Sequence, residues 1–252
     1  MKIVLLRVGV DKICGGTYSP LFKNGTFEFL PIPEYFYRNH PFDKNKVKTY
    51  ATENGKSGKP FIEYFAEGKD KEDHRNCPIH HDPDFKTFTY GDGNSTKQTL
   101  VNLEKGDFIV YYAMLQGQDF TMPPALYVIG YFEVEYALLA TEQDQYELLE
   151  NDFKHNFHVA NKEIYDRDIE NPKNKGLKLV KGSANSRLLK YAYLISRKIE
   201  IPKKADVHII SDEMLKVFGS FGGKIAIQKE PLRWIKDKDL VANTVAWLKS
   251  LE

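Results

Sequence analysis

GDFIVYYAML (residues 106–115) and ALYVIGYFEVEYALL (125–139) are the most strongly patterned part of the 252-residue chain. Both are rich in β-branched and aromatic residues, and each follows a turn element, Lys105-Gly106-Asp107 and Met122-Pro123-Pro124. They are expected to pair antiparallel across the loop GQDFTMPP, forming a β-hairpin over about 107–136. Their nearly continuous apolarity implies that both faces of the sheet are covered.

Outward from this pair, KIVLLRV (2–8) has the short apolar run of a central strand. DKICGGTYSP follows, where Gly15-Gly16 and Ser19-Pro20 supply turn residues. LFKNGTFEFLPIP predicts a hairpin with a type I′ turn at Asn24-Gly25. Residues 34–82 are polar, aromatic and irregular, and are expected to form a long excursion over the surface. TKQTLVNL, behind Asn94-Ser95, reads as a short helix, and a polar helix is expected at about 142–151. KLVKG and AYLIS read as strands, and FGSFGG (218–223) as a turn. Ser211 caps a helix over about 212–218. In DKDLVANTVAWLKSLE, the residues Leu240, Val241, Thr244, Val245, Leu248 and Leu251 recur at helical spacing, predicting an amphipathic C-terminal helix. The whole is expected to be α+β and a single domain over 1–252.

Composition limits the function. With 36 Lys plus Arg against 35 Asp plus Glu, the formal charge is +1, so any polyanion must be met by a local patch. Arginine occurs only at positions 7, 38, 75, 167, 187, 197 and 233, which makes each a candidate anion clamp or a structural ion pair. Two cysteines are too few for a disulfide scaffold. The N-terminal apolar run is too short for a signal peptide, and no stretch approaches a membrane span. Cytoplasmic residence without membrane association is expected.

Three constellations carry candidate chemistry. The first is His74, Cys77, His80, His81, Asp82 and Asp84, within eleven residues. These side chains could ligate a divalent metal, but the spacing matches no standard motif. A hydrogen-bonded turn, with Asp82 and Asp84 capping local amides, is the simpler account. No metal ligand is therefore assigned; an acid/base loop remains open, with His81 and Asp84 as catalytic candidates and His80 and Asp82 as ligand contacts. The second constellation is Arg7, Asp11, Gly15, Gly16 and Ser19, where glycines admit a ligand to the backbone and Arg7 fixes an anion. An ordinary glycine turn explains the same residues. Without GxGxxG or a Walker sequence, a Rossmann or P-loop site is not expected. The third is KGSANSRLLK (181–190), in which Ser183, Asn185 and Arg187 form either a phosphate-receiving helix start or a plain helix cap. His158 stands alone. No GxSxG elbow supports a serine hydrolase, and no pattern selects a cofactor.

The order of these pieces resembles the third of the nucleotide-modification-associated domain families of bacteria and phages. Arg7, Gly9, Asp11, Gly15, Gly16, Ser19, Pro20 and Pro31-Ile32-Pro33 fall on its N-terminal pattern. His80-His81-Asp82-Pro83-Asp84 looks like its His-x-Asp-Pro-Asp element, and HNFH ending at His158 is similar to its later histidine motif. The chain departs from that pattern at Val8 and Phe157, and after Trp234. The resemblance implies a nucleic-acid or nucleotide partner rather than a particular reaction. A looser likeness links the hairpin to barrel strands of PUA-like domains, the ASCH and EVE relatives. It implies a PUA-like mixed barrel with peripheral helices, with an extruded base stacked on Tyr111, Tyr112, Tyr127 or Tyr131 if these do not simply pack the core. Catalysis, with Asp11, His81 or Asp84 as acid/base groups and Arg7 or Arg187 on a phosphate, requires that Arg7, Asp11, His81 and Arg187 converge in one concavity. A non-catalytic reader of a modified base and a structural interaction protein are the competing classes.

Overall fold

In the computed structural model, residues 1–34, 47–199, 207–224, 226–227 and 232–252 are described. Arg38 and part of the 34–82 segment lie outside them. The strands are β1 (Ile3–Arg7), β2 (Ser19–Leu21), β3 (Ile32–Pro33), β4 (Ile79–His80), β5 (Thr89–Asp92), β6 (Phe108–Gly117), β7 (Ala125–Ala140), β8 (Leu177–Gly182), β9 (Arg187–Leu194), β10 (Ser196–Ile199), β11 (Val207–Ile210) and β12 (Arg233–Ile235). The helices are α1 (Lys12–Gly15), α2 (Lys69–Arg75), α3 (Gln145–Phe153), α4 (Phe157–Ala160), α5 (Lys162–Glu170), α6 (Asp212–Phe218) and α7 (Lys238–Ser250). The chain is a mixed α+β protein.

The β6–β7 pair is its centre, antiparallel from Phe108↔Glu133 to Leu115↔Ala125. The main sheet runs β12-β1-β6-β7-β8-β5, with β2 also on β6 and β9 also on β7. β1 lies parallel to β6. Besides β6, strand β7 is long enough to serve two further partners, β9 along its first half and β8 along its second. The described strands form no closed barrel, so the α+β class stands without the barrel.

Alternation along the central strands supplies two cores. Ile3, Leu5, Phe108, Val110, Tyr112, Leu126 and Val128 face α6 and α7, meeting Phe218, Val241 and Leu248. Val4, Leu6, Ile109, Tyr111, Ile129 and Phe132 face the other way, onto Phe27, Phe29, Tyr90 and Leu100. All four tyrosines offered as base platforms, Tyr111, Tyr112, Tyr127 and Tyr131, are core residues.

Helix α7 starts at Asp237, whose side chain accepts from Leu240 N, and buries Val241, Thr244 and Leu248, as its periodicity requires. Several local expectations change. Of Asn24 and Gly25 only the glycine takes a positive φ (84°), so the turn is not type I′, which needs two such residues. TKQTLVN lies within a 3-10 helix, Ser95–Asn102, with Asn94 as its N-cap and Leu103 as its C-cap. Ser183 and Asn185 occupy the turn between β8 and β9, so no helix starts there. The described part of 34–82 is no loose excursion. Tyr50, Phe61, Ile62, Tyr64, Phe65, Cys77 and Ile79 form a core of their own with Val10 and Leu30. No described helix is long and apolar enough to cross a membrane.

Candidate functional site: a buried His–Asp–His cluster on a cavity

Three segments distant in sequence meet beside the sheet. β3 pairs with β4 through Ile32↔His80, which brings Glu34 next to His80. After His80 the loop is pinned by Phe85, whose ring packs edge-on against Phe29, Tyr111 and Phe132. The space for that ring exists because residue 130 is glycine: a Cβ there would meet Phe85 Cε1 at 2.6 Å. The third segment is α4, capped by Asn156, whose Oδ1 accepts from His158 N at 3.2 Å.

The polar atoms converge closely. Asp82 Oδ2 lies 2.7 Å from His80 Nε2 and 2.8 Å from His158 Nε2, and the two Nε2 atoms are 3.0 Å apart. The other Asp82 oxygen, Oδ1, accepts from Gly91 N at 3.0 Å and Asn156 Nδ2 at 3.3 Å. Each imidazole also has a carboxylate at Nδ1: Asp168 Oδ2 lies 2.5 Å from His158, and Glu34 Oε2 lies 3.4 Å from His80. Arg167 touches both outer carboxylates, Asp168 Oδ1 at 3.0 Å and Glu34 Oε1 at 3.7 Å. Phe157 stacks on His80 with ring centroids 4.0 Å apart. Gly91 is required by this packing, since a Cβ would lie 2.6 Å from His158 Cδ2 and 2.8 Å from Asn156 Oδ1.

The electrostatics follow from burial and partners. Burial opposes charge on His158, but Asp82 and Asp168 outweigh it and push the imidazole up to about 10. His80 moves upward for the same reason, burial being overcome by Asp82 and Glu34. Burial raises Asp82, yet the two histidines dominate and hold it at about 2. Asp168 is lowered, with His158 and Arg167 outweighing burial.

His80, Asp82 and His158 line a cavity of about 1060 Å³ together with Arg7, Asp11, Lys12, Cys14, Tyr18, Tyr90, Asp92, Lys97 and Trp234. On its wall, Asp11 Oδ2 accepts from Arg7 Nη2 at 2.7 Å, while Oδ1 caps α1 by accepting from Ile13 N and Cys14 N. Burial, in the main, drives the Cys14 thiol up to about 11.

The sequence candidates therefore divide. Arg7, Asp11, His80, Asp82 and His158 share the cavity, and the rest are not among its lining residues. Gly16 is the left-handed C-cap of α1 next to Gly15, and Ser19 is buried with Oγ accepting from Leu30 N at 3.1 Å. His81 sits near Phe61, where burial lowers it, and Asp84 holds a tight turn by accepting from Lys86 N at 2.8 Å and the Thr87 hydroxyl at 2.7 Å. At the β8–β9 turn, Ser183 Oγ accepts from Asn185 N, Asn185 Nδ2 donates to Glu133, and Arg187 lies over the Tyr131 ring. Of the four groups whose convergence catalysis requires, only Arg7 and Asp11 face the cavity.

Glu34, Asn156 and Asp168 complete the cluster without having been singled out, and Arg167, named in sequence only as one of seven candidate anion clamps or ion pairs, joins them as an ion-pair partner. Of the first three only Asn156 carried a signal, as a cap residue inside HNFH.

The arrangement defines a class: a mixed α+β protein holding a His–Asp–His cluster at the wall of a large cavity. The model of the nucleotide modification associated domain 3 family matches residues 2–241, and the chain belongs to that family. No curated protein and no solved structure matches it.

Proposed function

We propose that this protein is an enzyme of nucleotide modification whose chemistry rests on the His80–Asp82–His158 cluster, in place of the Arg7, Asp11, His81 and Arg187 set, which does not converge, and that it acts on a nucleotide, or on a base of nucleic acid, held in the 1060 Å³ cavity. The observation that carries the reading is the composition of that one cavity. Aromatic and cationic groups, Tyr18, Trp234, Arg7 and Lys12, share it with the buried His80–Asp82–His158 cluster. Aromatic faces take a base in a sequence-tolerant way, and cationic groups take phosphate. Clustered, perturbed titratable groups in a cleft are the usual mark of chemistry.

In this reading the base stacks on Trp234 or Tyr18, Arg7 and Lys12 face the phosphate, and the reacting atom meets the cluster. A PUA-like reader without chemistry is the alternative, and it too must bind through Trp234 and Tyr18, because the hairpin tyrosines are buried. Cys14 and Cys77 are not joined in a disulfide, which suits a reducing, cytoplasmic setting.

Titration calorimetry of the full chain against nucleoside monophosphates, nucleoside triphosphates and short oligonucleotides tests this. At least one should bind, with affinity falling about tenfold or more in Trp234→Ala, in line with the value of base stacking. His158→Gln should retain binding and lose turnover. Turnover unaffected by His158→Gln would remove the cluster from catalysis. Absence of binding across the panel would sink the proposal.

A further inference from the structure

We infer that His80, Asp82 and His158 form a three-ligand site for a divalent first-row transition-metal ion. The inference takes the same cavity as the functional site and deepens the reading above. His80 Nε2, His158 Nε2 and Asp82 Oδ2 form a nearly equilateral triangle, with sides of 2.7, 2.8 and 3.0 Å. All three residues can present one ligand atom to a common point. A metal about 2.1 Å from each atom sits over one face of such a triangle. Since all three residues line the cavity, further coordination positions would open into it. Two imidazoles and one carboxylate, with open positions, suit zinc, iron(II), cobalt(II) or manganese(II).

The surroundings support a metal over a hydrogen-bonded turn. Each ligating atom has a counterpart that is already fixed. Asp168 holds His158 Nδ1, Glu34 faces His80 Nδ1, and Gly91 N with Asn156 Nδ2 hold Asp82 Oδ1. Carboxylates behind ligating imidazoles set the tautomer that turns the Nε2 lone pair inward. With both Nδ1 atoms donating outward, the two Nε2 atoms face one another and a shared carboxylate oxygen. Hydrogen bonds satisfy that triangle only by placing a proton on each imidazole, with the two N–H groups crowded at one oxygen. One cation satisfies all three lone pairs.

The test is uptake of metal alone. The full chain, stripped with a chelator, is titrated with cobalt(II) in the absence of nucleotide and followed by its visible d–d absorption. Zinc(II), manganese(II) and iron(II), the last without oxygen, are followed by calorimetry. One equivalent of cobalt(II) per chain is expected. Uptake should vanish in His158→Gln and in His80→Gln, persist in His81→Gln, and weaken about 10–100-fold in Asp168→Asn, which removes only an outer partner. Near-UV circular dichroism identifies any variant that fails to fold, and Asp168→Asn then carries the test. No uptake of any of these ions by the stripped wild-type chain overturns the inference, as does uptake unchanged in a folded His158→Gln chain. Nucleotide binding is measured separately on the stripped protein. Metal uptake without nucleotide binding removes the functional reading and keeps the site, and the converse removes the site.

Discussion

The β6–β7 pair and the His80–Asp82–His158 cluster are both buried, but they are buried for opposite reasons. Along β6 and β7, burial is itself the stabilising term, because each apolar side chain leaves water for one of two packed cores. In the cluster burial is a cost, since ionisable groups lose their hydration and must be compensated atom by atom. The difference teaches where tolerance lies. The strands accept apolar replacements of similar volume, whereas the cluster depends on every partner being present.

Substitutions can break or sharpen that contrast. The largest effect is expected in the strands: Phe132→Ala removes a fully buried ring packed on Phe85, Phe88 and Tyr111 and should cost about 3–5 kcal/mol in urea unfolding. Phe132→Leu should cost much less, and equal losses would break the contrast at its apolar end. Beside the cluster, the Cys14 thiol, held near 11 chiefly by burial, should react with iodoacetamide at pH 8 roughly 100-fold more slowly than an unhindered thiol. Ordinary alkylation kinetics would refute the buried setting given to this cavity wall. Asn156→Ala removes both the cap of α4 and a donor to Asp82, and should cost about 1–2 kcal/mol in thermal unfolding while also weakening cobalt(II) uptake. Loss of stability with uptake untouched would separate the cap from the cluster. At the β8–β9 turn, Arg187→Ala gives up a cation–π contact with Tyr131 worth about 0.5–1 kcal/mol and should leave nucleotide binding unchanged. A drop in binding there would return Arg187 to the list of phosphate contacts.

The two regions were also unequally legible in sequence. The hairpin announced itself because two nearly continuous apolar runs, rich in β-branched and aromatic residues, each follow a turn element, a pattern that needs no long-range information. The C-terminal helix was legible for the same reason, its apolar residues repeating with the helical turn. His80 and Asp82 stood out as residue types, yet their partner His158 lies 78 positions away in the chain, and no local pattern joins them. Asp168 and Glu34 were silent, because a carboxylate on a helix or beyond a short strand looks like ordinary solvated charge until the fold places an imidazole against it. Ser183 and Asn185 misled because cap residues and turn residues are chemically the same, and only the pairing of β8 and β9 with β7 decides between them. In the described part of 34–82 the small core of Tyr50, Phe61, Ile62, Tyr64 and Phe65 was not legible, because these residues are spaced without a period.

Strand β5 lies at one end of the sheet path, so one of its sides has no strand beside it in that path. The loop carrying the cluster occupies that side: Asp84 pairs with Thr89 through two backbone hydrogen bonds, and Asp82 Oδ1 takes the Gly91 N–H. An open strand edge invites pairing with another molecule, the route by which β-sheet proteins self-associate. Asp82, placed at the cavity, is therefore also part of the cover of a sheet edge. Any change that frees the 82–84 loop should appear first as concentration-dependent self-association, seen by light scattering, under conditions in which the central sheet is still intact.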